Sequence, residues 1–291
     1  MQLDDGWARH EKESDRLAGD LEAAAEGGIE SDVLAPFLHL STHTIGEHLG
    51  DWGRALTLGK RVLDGRTPTA ESARAWGRLY VAAVLAGDPI EAANSELSYL
   101  KAADDFGGAF LDMRFMLAAA LVGSKRAGEA AHLYRSALDL VGRIDPSPTL
   151  DRTIAVASNN LGWELYEMSS RSASEDDLMR LCAATSLDFW RKCGNWINEE
   201  RALYLKAQVS NVTGSPDSAL ADADEALALI KSQGERPLDT ALLHLVRASS
   251  FGALGDRDAK QRAVGEADST ASKLAAVDLR TQFAAERAKV V

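Results

Sequence analysis

The chain has 291 residues, 46% of them hydrophobic but only 6% aromatic, and a formal net charge of -12. The length allows a sizeable core. The acidic balance, with no Lys/Arg-rich block, argues against a nucleic-acid partner. Cys182 and Cys193 have neither metal-site nor redox spacing and read as thiols of a reducing compartment.

The amino terminus has no basic and apolar leader, and no stretch reads as the ~18 apolar residues that a membrane span needs. The expectation is a soluble cytoplasmic protein with no membrane contact. Strand signals are nearly absent, while Ala and Leu, both strong helix formers, recur throughout. The expected fold class is all-α.

Residues 7–26 carry Trp7, Leu17, Leu21, Ala24 and Ala25 among charges and end at Gly27-Gly28, which predicts an amphipathic helix within an amino-terminal segment 1–30. From Ser31 onward, helix pairs alternate with short turns at Gly50-Asp51, Gly87-Asp88, Ser124-Lys125, Ser169-Ser170, Gly214-Ser215 and Gly255-Asp256. Glycine allows the left-handed residue that ends one helix, and Asp or Ser caps the next. These turns divide 31–275 into six hairpins, roughly 31–65, 67–106, 108–143, 149–194, 195–233 and 236–275. Pro89 and Pro216 fall at first helical positions, where the missing N–H costs nothing. The expanded turn Ser169–Glu175 reads as a flexible tip, and 276–291 as a terminal capping helix.

In the third unit Ala127, Ala130, Ala131, Tyr134, Ala137, Leu138 and Val141 share one helical stripe, with a ring between small residues. Leu161-Gly162 with Tyr166, Trp76 and Leu79 with Ala92, and Ala219, Ala223, Ala226 and Leu227 supply related patterns in other units. Together these resemble the tetratricopeptide repeat (TPR) family, although the intervals of 37 to 45 residues exceed the usual period of about 34. The resemblance implies one repeat domain over 1–291, a right-handed superhelix of antiparallel hairpins with terminal helices, thirteen or fourteen helices in all. It also implies a concave groove lined by the first helix of each pair.

In that register Asn159, Asn160, Trp163 and Tyr166 flank the groove, and Arg201, Tyr204, Gln208 and Asn211 stand at matching offsets in the next unit. An Asn amide can bond both groups of a peptide unit. The alternative reading makes these residues solvated polar groups and ties between repeats. His39, His43 and Glu47 recur at four-residue steps with His48 beside them. Two histidines one turn apart can share a metal, but no further ligand is indicated, so packing is the expectation and neither metal nor cofactor is assigned. Asp217, Asp222, Asp224 and Glu225 are expected on a solvated convex face.

The functional expectation is a non-catalytic scaffold that holds a protein or peptide segment in the groove. A peptide- or small-molecule-sensing module acting on a separate effector, a divergent enzyme or accessory subunit, and a homodimer formed through terminal repeats are the alternatives.

Overall fold

The computed structural model of the protein describes residues 3–290, and every regular element among them is helical. Fifteen α-helices occur among the described residues: α1 (Leu3–Arg9), α2 (Ser14–Glu26), α3 (Leu34–Ser41), α4 (Trp52–Leu63), α5 (Ala73–Ala86), α6 (Pro89–Ala102), α7 (Phe106–Gly123), α8 (Ala127–Val141), α9 (Pro148–Glu167), α10 (Ala173–Cys193), α11 (Trp196–Val212), α12 (Pro216–Gln233), α13 (Pro237–Ala253), α14 (Arg257–Ala271) and α15 (Val277–Ala288). A short 3-10 turn, Ser31–Val33, precedes α3, and α3 runs straight into a π-helical segment, Thr42–His48. The six expected pairs correspond to α3 plus the π segment with α4, and then α5/α6 through α13/α14; α15 follows them.

One expected helix is two. Residues 7–26 break after Arg9 and resume at Ser14. No large apolar side chain stands between Trp7 and Leu17, so nothing draws the intervening charged residues into a buried stripe. The break lets α1 fold onto α3: a Cβ at buried Gly6 would meet Leu40 Cδ2 at 2.5 Å, and the Trp7 ring lies edge-on to His39, 5.0 Å between centroids.

The four glycine turns take the expected backbone conformation, although Ser215 makes no side-chain cap bond. Gly50, Gly87, Gly214 and Gly255 all take positive φ, between +70° and +80°. The Asp51, Asp88 and Asp256 carboxylates accept the N–H groups of Arg54, Glu91 and Ala259, satisfying orphan donors of the following helices. The third turn has no glycine, and Lys125 takes the left-handed conformation there at φ 60°. The turn expected to be flexible is pinned. Arg171 Nη1 donates to the carbonyls of Leu165, Tyr166 and Met168, its Nε bonds Asp176 at 2.8 Å, and Ser172 and Glu175 form a capping box. The end of α9 is thereby closed by a guanidinium instead of a glycine.

Where the sequence reading runs one array along the chain, the structure divides into two compact units, Met1–Thr153 and Ile154–Val291. Hairpins pack as α5 on α6 and α7 on α8 in the first unit and as α11 on α12 and α13 on α14 in the second, and first helices touch one another, α3 on α5 and α5 on α7 in the first, α11 on α13 in the second. Small residues make this possible. A Cβ on Gly77 of α5 would meet Met116 Cε at 2.5 Å and Tyr99 Cε1 at 3.0 Å. In the third hairpin Tyr134 is 0% exposed between buried Ala130 and Ala137, with its ring 5.3 Å from that of Phe115.

Helix α7 corrects one expectation. It is long and apolar enough to cross a membrane by length and composition, with 67% of its residues buried inside the protein. Its polar members are engaged: Asp112 accepts from Tyr99 Oη at 2.6 Å and pairs with Arg74 at 3.2 Å, and the Arg114 guanidinium lies 3.3 Å over the Phe110 ring centre.

Two outcomes are expected. Tyr134→Ala should cost ~3–5 kcal/mol, as for other aromatic deletions in cores, and a urea titration with an unchanged midpoint would refute the packing role. Lys125→Gly should gain up to about 1 kcal/mol, because a Cβ in the left-handed region carries a steric cost that glycine avoids; a fall in melting temperature would contradict it.

Candidate functional site

The eight residues expected at the groove lie in the second unit, on α11 and on the part of α9 that follows Thr153. A helix brings residues three, four and seven apart onto one face. Asn159, Trp163 and Tyr166 share such a face on α9, and Arg201, Tyr204, Gln208 and Asn211 on α11. Gly162 allows the two helices to approach: a Cβ there would lie 3.1 Å from Leu205 Cδ2.

Four of the eight form one cluster. The Trp163 ring meets Tyr166 edge-on at 5.4 Å and Tyr204 at 5.7 Å between centroids, and Gln208 Nε2 donates to Tyr204 Oη at 3.0 Å. Burial pushes the Tyr204 phenol up, against the opposing pull of the Gln208 bond. Burial raises Tyr166 as well, with Lys289 and Glu286 acting on it from the end of α15. Both phenols are therefore neutral at ordinary pH. Tyr204 also joins a core cluster built from Ala241, Leu242, Leu245 and Phe283, with Val290 packed against it. Val290 and Tyr204 thus pack against one cluster, a relation that the linear pattern did not reveal.

The other four separate. Asn160 and Arg201 are exposed, and Arg201 makes no ion pair among the described residues. Asn159 Nδ2 reaches Asn160 Oδ1 at 3.4 Å. Asn211 is committed to α13: its Nδ2 donates to Val246 O at 3.1 Å and its Oδ1 accepts from Ser250 Oγ at 2.8 Å. Each end of its amide makes one bond to α13, so it ties two helices together.

The acidic run on α12 is not simply solvated. Asp222 is 6% exposed and accepts from Lys206 Nζ at 2.6 Å. Asp224 pairs with Arg247 at 2.9 Å and Glu225 with Arg191. In the first unit His39 is the expected packed histidine: burial, with the nearby Arg78, His43 and Arg74 charges, drives its pKa down to about 2.

Glu200, beside Arg201, carried no sequence signal because it looks like one more helix-surface carboxylate. It is 1% exposed, and its Oε2 meets no donor among the described residues. Burial and then Asp239 push its pKa up to about 7, against Arg201 and Arg236. No protein-family model and no curated protein matches this chain.

Glu200 sets a pH dependence. Between the ordinary value of 4.5 and about 7 the folded chain binds a proton that the unfolded chain has lost, so stability falls as pH rises through that window. In Glu200→Gln this contribution disappears. Going from about pH 5 to about pH 8, the stability difference should shift toward the variant by on the order of 2–3 kcal/mol. Urea denaturation at the two pH values checks it, and a pH-independent difference would mean that Glu200 is ionised in the fold.

Proposed function

We propose that the chain is a non-catalytic binding module that holds a peptide or protein segment against the α9–α11 face of its second unit. One observation carries the reading: an aromatic floor of Trp163, Tyr166 and Tyr204, fixed by Gln208, lies on the helices that also carry exposed Asn160 and Arg201. Aromatic rings give large contact area at low entropic cost. An amide and a guanidinium supply the directional bonds that a peptide backbone or a carboxylate requires. Asn159 supports Asn160, whereas Asn211 belongs to the scaffold.

We infer further that the hairpins are diverged TPR-like repeats. The buried Ala130–Tyr134–Ala137 stripe and the packing of first helix on first helix within each unit support this. In such an arrangement second helices screen the hairpins from outside, while first helices keep a face for a partner.

Asn160→Ala combined with Arg201→Ala should weaken binding of a partner recovered from native extract by about tenfold or more, the loss expected of two polar contacts. The melting temperature should stay almost constant, because exposed groups contribute little to stability. Calorimetry on the purified pair measures the first and a thermal scan the second. Full affinity in the folded double variant would place the binding face elsewhere.

A further inference from the structure

The break after α1 and the π segment bring together three histidines that the sequence scatters. One ring nitrogen from each of His10, His43 and His48 lies within 4.8 Å of the others. The rings are mutual neighbours, with centroids 5.0 Å apart for His10–His43, 5.2 Å for His10–His48 and 4.7 Å for His43–His48. His43 Nε2 and His48 Nε2 face each other at 3.1 Å. A tetrahedral zinc ion with bonds of 2.0–2.1 Å holds its nitrogen ligands roughly 3.3 Å apart, so this pair is already near the spacing of two ligands on one ion.

The hydrogen bonds behind the rings set their tautomers. His10 Nδ1 lies 2.5 Å from the Trp7 carbonyl oxygen, which can only accept, so the proton is on Nδ1. His43 Nδ1 lies 2.6 Å from Glu47 Oε2 and donates to that carboxylate. His10 and His43 therefore keep an unprotonated Nε2. A carbonyl or carboxylate on the far nitrogen is the arrangement that orients metal-bound histidines and raises their basicity.

The local backbone is what makes the pair. At 100° per residue an α-helix would point residues 43 and 48 about 140° apart. The π-helix Thr42–His48, closed by Leu49 N–H on Thr44 O at 3.2 Å, brings residues five apart onto one side, and such segments are common at functional sites. Gly46 lies inside it against Trp52, where a Cβ would meet three ring atoms within 2.7 Å. Trp7 walls the other side, 5.3 Å from both His10 and His43 between centroids. His39 lies behind Trp7 and outside the set, 6.5 Å from His43.

We propose that His10, His43 and His48 form a binding site for one divalent transition-metal ion, with zinc as the expected occupant. Glu47 and the Trp7 carbonyl act as the groups that orient the ligands. Three neutral imidazoles favour Zn²⁺, Co²⁺, Ni²⁺ or Cu²⁺ over the oxygen-seeking Mg²⁺ and Ca²⁺. His48 is exposed and the other two are half-buried, so an ion can enter from solvent and keep water at its fourth position. Occupancy would join α1 to the π segment.

The test uses tag-free, full-length protein stripped with a chelator and titrated with zinc chloride by calorimetry, with cobalt(II) absorption reporting geometry. One Zn²⁺ per chain and a tetrahedral cobalt spectrum are expected. His48→Ala, which removes an exposed ring, and His10→Ala should abolish both without changing the melting temperature of the metal-free protein. Glu47→Gln should weaken binding about 10–100-fold, and His132→Ala, on the exposed surface of α8, should leave it intact. Absence of zinc binding at stoichiometric concentration, or binding that survives both His10→Ala and His48→Ala, overturns the proposal.

Discussion

A helix hairpin of this size cannot bury its apolar stripe by itself, so everything here depends on how closely helices can approach. Side chains without bulk set that distance. Ala130 and Ala137 leave room on either side of Tyr134. Gly77 admits Met116 and Tyr99, and Gly162 admits Leu205. Where backbones come this near, dispersion contacts are dense and a large ring between them fills the remaining space. The same closeness explains a chain rich in alanine and poor in aromatics that still has a continuous core in each unit.

Close packing then dictates where polar groups can go. Asp112, buried in the long apolar helix α7, is held by Tyr99 and Arg74; Asn211 exchanges two bonds with α13; Arg171 closes the end of α9. These groups are structural because the packing has engaged them in bonds within the fold. Asn160 and Arg201, on the same helices, are left projecting, and that difference separates scaffold from candidate contact. Glu200 differs, a buried carboxyl without a donor on Oε2, and burial raises its pKa.

The π segment is the second departure from regularity. Widening one turn changes which side chains share a face, and here it aligns His43 with His48 and sets Glu47 behind His43. Within it Gly46 gives way to Trp52, whose ring occupies the space that a side chain at position 46 would need. Helix α1, freed from α2 by the charged break, then carries His10 to the same place. Neither event leaves a periodic mark in the sequence, since each is a deviation from periodicity.

Helix content and the four glycine turns were legible in the sequence because they rest on local chemistry. Glycine alone takes the left-handed residue without strain, Asp and Ser reach back to bare N–H groups, and apolar residues at three- and four-residue steps define a stripe wherever the helix lies. The shared faces of Trp163 with Tyr166 and of Tyr204 with Gln208 follow from the same arithmetic. The tertiary structure alone decided which of those polar groups stay free, that Val290 and Tyr204 pack against one core cluster, that Glu200 is sealed, and that three histidines up to 38 positions apart converge. Helical spacing is a one-dimensional rule. Burial, pairing and ligand geometry depend on contacts between distant segments, and those are set by which surfaces fit together when the helices pack.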